Sequence, residues 1–160
     1  MFTKILVPLD GSDLAAKILP QVVDLAKTQK AQVTLLYVFD AALRASTSAV
    51  MQQALAEENK LCEVFLGQAA KDLEAQGIKA SFACVAGSPA REIIAYAEAN
   101  GMDLIAMATH GKGEVAWVLG SVAEKVASHA TVPVLLFRVL EAKVPETKDE
   151  FLDLLDRGIP

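Results

Sequence analysis

Long hydrophobic runs are missing from this chain: no apolar stretch reaches the roughly 18 residues that a membrane-crossing helix requires. Basic runs are missing too. The formal net charge of −5 is spread along the sequence, so nothing offsets the counterion cost of gripping a phosphate backbone. Neither a membrane nor a nucleic-acid partner is expected.

Cysteine is scarce. Cys62 and Cys84 are the only two, they lie in apolar periodic segments, and their spacing matches neither a metal knuckle nor a redox pair. They read as buried, reduced, small hydrophobes, which suits a cytoplasmic protein. Met1 to Asp10 contains one lysine and passes directly into a strand pattern, without the charged leader and cleavage site of a signal peptide, so export is not expected. Familiar catalytic signatures are also missing: no G-x4-G-K-[ST] loop, no G-x-S-x-G elbow and no H-E-x-x-H helix. Without a positioned base or metal site, robust catalysis is not expected.

What is present is one domain's worth of apolar sequence. The 160 residues are 53% hydrophobic and 22% charged, enough to bury one sizeable core. Short β-branched runs alternate with stretches whose apolar residues recur three or four apart. The expected strands are Lys4 to Val7, Val33 to Val38, Ala80 to Val85, Asp103 to Thr109 and Pro133 to Val139. Several are apolar at consecutive positions, the mark of parallel strands covered on both faces.

Helices fill the gaps. Ser12 is expected to cap a helix running to about Gln29 with a kink at Pro20, and Ala49 to Gln76 forms a long one closed by Gly77. Ser88 and Pro89 open a third, which Asn100-Gly101 ends, and a fourth starts near Gly120-Ser121 and runs to His129. The fold class is therefore α/β, an open five-stranded parallel doubly wound sheet. Ligands of such sheets bind beyond the carboxyl ends of the strands where the winding reverses, which directs attention to Pro8 to Ser12 and Ala108 to Gly113. After the last strand, residues 141–160 form an extension. Thr147 and Glu150 stand at capping-box spacing before Phe151, Leu152, Leu154 and Leu155, predicting a short amphipathic helix that packs on its own domain or a partner.

The stretch with most chemistry is Asp103 to Ser121, DLIAMATHGKGEVAWVLGS. A buried strand enters a glycine loop, and a Gly-Ser pair then opens a helix. Gly111 and Gly113 let backbone N–H groups approach an anion, and the unsatisfied N–H groups at the helix start, through Gly120, Ser121 and Val122, add partial positive charge. Asp10 offers a carboxylate for ribose hydroxyls or a base, and Val38 can support an adenine ring. Plainer readings stand beside these: the glycines and Asp10 can simply make turns, Lys112 can be a solvated loop lysine, and Trp117 can be a packing anchor. His110 can donate to a phosphate, but an exposed turn histidine is its simpler description.

The segments ILVPLDGS, AGSPAREII, DLIAMATHGKG, LGSVAEKV and VPVLLFR, in this order over Met1 to Val139, resemble the universal stress protein family. The resemblance implies a Rossmann-like sheet similar to that of the adenine nucleotide alpha hydrolases and homodimerisation through the last strand, Pro133 to Val139. In one branch it also implies ATP held by a G-x2-G-x9-G-[ST] loop. Carried onto this sequence, the second glycine falls on Gly111, the closing pair on Gly120 and Ser121, and the adenine and ribose contacts on Pro8, Asp10 and Val38. The first glycine is replaced by Ala108, and eight residues, Lys112 to Leu119, stand where the pattern has nine. Alanine is harmless there if φ is negative and costs roughly 1 kcal/mol or more if φ is positive. The implied role is that of a homodimeric regulatory or stress-response protein binding ATP or AMP, with Mg²⁺ entering only through nucleotide phosphates and with an unidentified protein partner downstream. Two alternatives stay open: a dimeric scaffold without ligand, and a weak ATPase.

Overall fold

The computed structural model describes residues 1–40, 49–110 and 119–139. Its elements in chain order are β1 (Lys4–Pro8), α1 (Asp13–Ala16), α2 (Leu19–Gln29), β2 (Gln32–Asp40), α3 (Ala49–Ala75), β3 (Ala80–Gly87), α4 (Pro89–Ala99), β4 (Leu104–Ala108), α5 (Ser121–His129) and β5 (Val134–Phe137). All strand pairs are parallel, in the order β3-β2-β1-β4-β5. The winding therefore reverses between β1 and β4, and β3 and β5 are the edges. The sequence reading of an α/β, five-stranded parallel sheet agrees with this architecture.

Side-chain alternation along each strand builds two cores. Ile5, Val7, Val33, Leu35, Leu104 and Ala106 face one side, where Val22, Ala26, Leu66 and Leu73 from α2 and α3 cover them. Leu6, Leu36, Ile105 and Met107 face the other, under Ala90, Ile93, Ala123 and Val126 from α4 and α5. Both faces are covered, which explains why these strands read as continuous apolar runs rather than alternating ones. Asp103 joins the lower ends of β4 and β1: its carboxylate accepts the Thr3 amide at 2.8 Å, the Thr3 hydroxyl at 2.7 Å and the Lys4 amide at 3.0 Å. Burial alone would raise this carboxyl group, but those hydrogen bonds outweigh it and hold its pKa below the usual range.

Two expectations are corrected here. The helix from Ser12 to Gln29 is broken in two rather than kinked at Pro20. Proline has no N–H to give the carbonyl four residues back, which belongs to Ala16, and its ring would strike that carbonyl, so α1 stops there. Pro20 instead occupies the first turn of α2, where no donor is needed, and the ladder restarts with the Val22 amide on the Ile18 carbonyl at 2.9 Å. The cysteines, expected to be reduced, are joined as a disulfide between α3 and β3, with Cα atoms 6.3 Å apart. Each sits on the buried face of its own element, and packing α3 over β3 superimposes the two faces at a distance a disulfide can span. The expected tail helix around Thr147 to Leu155 lies outside the described residues. Among the described residues no helix is long and apolar enough to cross a membrane.

Candidate functional site

The exit of β1 is a tightly bonded turn. The Leu9 amide still reaches the Leu36 carbonyl at 2.8 Å, after which Gly11 takes a φ of +76°, a conformation that side chains with a Cβ rarely adopt. One oxygen of Asp10 accepts both the Ser12 amide, at 2.9 Å, and the Ser12 hydroxyl, and the Ser12 Oγ in turn accepts the Ala15 amide at 3.2 Å. The carboxylate is thus fixed at the carboxyl end of the sheet by bonds within its own turn.

Beside it, β4 continues through Ala108, which pairs with Phe137 and belongs to the core on the α1 and α2 side of the sheet. Among the described residues Lys30 alone, glycines aside, has positive φ, so Ala108 stands in ordinary strand conformation and needs no glycine. The Thr109 amide bonds the Phe137 carbonyl at 2.8 Å, and the Thr109 carbonyl accepts the Gly120 amide at 2.9 Å. That second bond clasps the two ends of the glycine loop together. The helical ladder of α5 begins with the Glu124 amide on the Gly120 carbonyl at 2.8 Å, so Ser121, Val122 and Ala123 make up its first turn.

His110 corrects another expectation. Instead of standing exposed in a turn it is 4% exposed, with Nδ1 2.8 Å from the Thr109 Oγ1. The ring is buried beside Thr109, whose carbonyl bonds the Gly120 amide, and it lines the carboxyl end of the sheet.

These two exits enclose an open cleft of about 310 Å³ at the point where the winding reverses. Of the residues singled out from the sequence, Pro8, Asp10, Val38, Ala108, His110, Ser121 and Val122 all line it. Gly120 is buried at the cap of α5 beside it. Gly111, Lys112 and Gly113, with Trp117, lie outside the described residues. The sequence reading overlooked Pro89 and Ile93 of α4, which supply an apolar wall. Their spacing of four residues puts them on one helix face, but only the docking of α4 over β2 and against α5 turns that face toward the cleft. The cleft thus sets a carboxylate and the opening turn of a helix around apolar walls, a combination fit for a polar ring with an anionic tail. Among the described residues no group of three His, Cys, Asp or Glu side chains could hold a metal ion.

Tyr37 connects this site to the far layer. Its hydroxyl donates to Glu58 Oε1 of α3 at 2.9 Å, and its ring lies 3.7 Å from where a Cβ on Gly11 would stand. Burial, then the Glu58 hydrogen bond and charge, then the charge of Asp10, push the phenol up to about 12. A second hollow, at the amino ends of β1 and β2, contains Lys27, Lys30 and Lys79, but it opens beside the carboxyl terminus of α2, whose dipole already accounts for cations there.

The model of the universal stress protein family matches residues 1–138. This chain belongs to the universal stress protein family. Universal stress protein YxiE of Bacillus subtilis is 34% identical over 149 residues, spanning 86% of this chain and all of that one. Among solved structures, Methanocaldococcus jannaschii MJ0577 superposes with a TM-score of 0.80 at 31% identity, covering 89% of this universal stress protein and 99% of its own chain. More distant members share the fold: one solved in complex with cAMP, at 20% identity and TM-score 0.66 over 87% of this chain and 98% of its own, and one from Archaeoglobus fulgidus solved in complex with dAMP, at 19% identity and TM-score 0.59 over 84% and 97%.

Proposed function

We propose that this universal stress protein is a homodimeric regulatory protein that holds an adenine nucleotide, ATP or AMP, in the cleft between β1, β4, α4 and α5, without robust catalysis. One observation carries the reading: the Asp10 carboxylate and the first turn of α5 meet across a single open cleft at the winding reversal. In this reading Asp10 receives ribose hydroxyls, Pro8, Val38 and Ile93 flank the adenine, and the α5 amides with the Ser121 hydroxyl take phosphate oxygens. His110 borders the anion, and Gly111, Lys112 and Gly113 complete its cradle. The cleft volume falls at the small end of the roughly 300–1,000 Å³ typical of small-molecule sites, which suits one nucleoside with its phosphates directed outward. Any Mg²⁺ would arrive with the nucleotide, held by phosphates and water. The ordinary strand geometry of Ala108 supports the reading, since alanine carries no steric cost there in place of the pattern's first glycine.

Residues 1–140 act as the universal stress protein domain in this reading, 141–160 as an appendage, and the working compartment is the cytoplasm. The second copy pairs along β5, which has one strand neighbour and leaves Leu135 37% exposed at the sheet edge. Ligand-induced ordering of the cleft would change the surface offered to a downstream protein. Titration calorimetry with ATP and with AMP at millimolar concentration is the test. Saturable heat that Asp10→Ala lowers is expected, and no heat above dilution from either nucleotide would leave a dimeric scaffold without ligand.

A further inference from the structure

The Cys62–Cys84 disulfide stands where it can control the cleft. Along α3 the buried stripe runs through Cys62, Leu66, Ala70 and Leu73, and among the described side chains of this helix Cys62 is the first to be buried. The part of α3 before it, from Ala49, exposes Val50 and Leu61 at 78% and 68%, and none of its described side chains is fully buried. Among the described residues, two links join that part to the sheet. One is the disulfide to β3, and the other, a single helical turn earlier, is the Tyr37 hydrogen bond to Glu58. Tyr37 and Cys84 are also direct partners in the β2/β3 register, so both links join neighbouring points of the sheet to neighbouring points of the helix. From there Tyr37 packs against Gly11, next to the pinned Asp10 carboxylate.

We infer that Cys62–Cys84 is a thiol-exchange site whose redox state sets the affinity of the cleft, the oxidised form binding adenine nucleotide more tightly; the inference rests on the nucleotide reading above. Cys84 lies on an edge strand and is partly exposed, whereas Cys62 is buried, so an entering thiolate meets the Cys84 sulfur. The co-reactant is a dithiol. One of its thiolates attacks Cys84 Sγ, forming a mixed disulfide and expelling Cys62 as a thiolate that takes up a proton. The second dithiol sulfur then displaces Cys84, which is protonated in turn. Two electrons pass to the protein, which ends with two thiols, and the dithiol ends as a cyclic disulfide.

Two thiols need more room than two bonded sulfurs, so opening the bond both removes the tether and presses α3 away from β3. The Tyr37–Glu58 bond then spans a looser helix, and the Gly11 and Asp10 rim loses its backing.

The test uses the full chain, oxidised and after treatment with dithiothreitol, titrated calorimetrically with ATP. Reduction is expected to weaken binding roughly tenfold, within the ordinary range of coupling between two sites. The double variant Cys62→Ala/Cys84→Ala should match the reduced protein whether or not dithiothreitol is present. Tyr37→Phe should shrink the difference between the two redox states. Amide hydrogen exchange provides a readout independent of ligand: residues 49–61 and 9–12 should exchange faster after reduction. Equal affinities in both states, or unchanged exchange in those segments, overturn the redox inference and leave nucleotide binding intact. Failure of both states to bind ATP or AMP overturns the nucleotide reading instead, and the redox control of affinity with it.

Discussion

Replacing Ala108 by glycine separates the requirement of a motif from the requirement of a backbone. The sequence pattern asks for glycine at this position, yet the residue lies in β4 with negative φ and its methyl group is buried. Ala108→Gly therefore removes a core methyl worth about 0.8 kcal/mol and adds a strand-interior glycine penalty of roughly 0.5–1 kcal/mol. The expected loss is about 1.5 kcal/mol, or a Tm lower by roughly 3–6 °C for a chain of this size. Nucleotide affinity should stay within about twofold, because the Thr109 clasp on Gly120, not flexibility at position 108, closes the loop. Urea unfolding and calorimetric titration of the same preparations provide both numbers. An ATP affinity raised tenfold or more by Ala108→Gly, with stability unchanged, would refute the reasoning, since it would mean that alanine had been holding the strand exit in the wrong conformation.

Asp10→Asn keeps an oxygen that can accept the Ser12 amide, so the turn should survive while ATP affinity falls about 10-fold or more, as expected for loss of a charged hydrogen-bond acceptor; equal loss of affinity and of thermal stability would instead indicate a merely structural aspartate. Asp103 has a folded-state pKa below its unfolded value, so its contribution is complete above about pH 4 and disappears as pH falls through the lower folded value. Asp103→Ala should cost about 1 kcal/mol at neutral pH, where water can reach the Thr3 and Lys4 amides it leaves, and should flatten the acid limb of the stability profile measured by urea unfolding between pH 2 and pH 6. Leu135→Lys puts a charge on the β5 edge and is expected to convert dimers to monomers in light scattering at tens of micromolar, with little change in monomer fold.

Much of the fold was legible because its signals are local. The five strands appear in the sequence as short, largely apolar runs, and α4 is framed by Ser88-Pro89 before it and by Gly101, with a φ of +60°, after it. Ser12 reads as a cap and serves as one, although the helix it begins is short. The candidate site was legible in its polar parts, Asp10 and the turn at Ser121, because glycine, aspartate and serine mark strand exits and helix starts through their own backbone geometry. Its apolar wall was not, since Pro89 and Ile93 look like any amphipathic face until α4 is docked.

Sequence by itself determined the alternation of strand and helix, the burial of both sheet faces and the place along the chain where a phosphate loop could form, since each follows from periodicity or turn chemistry within a few residues. Tertiary structure alone decided the order β3-β2-β1-β4-β5, the meeting of Cys62 with Cys84, the burial of His110 and the ordinary φ of Ala108. These depend on which surfaces are brought together by packing two helical layers against a twisted sheet. Contacts of that kind join residues far apart in the chain, and no local pattern encodes them.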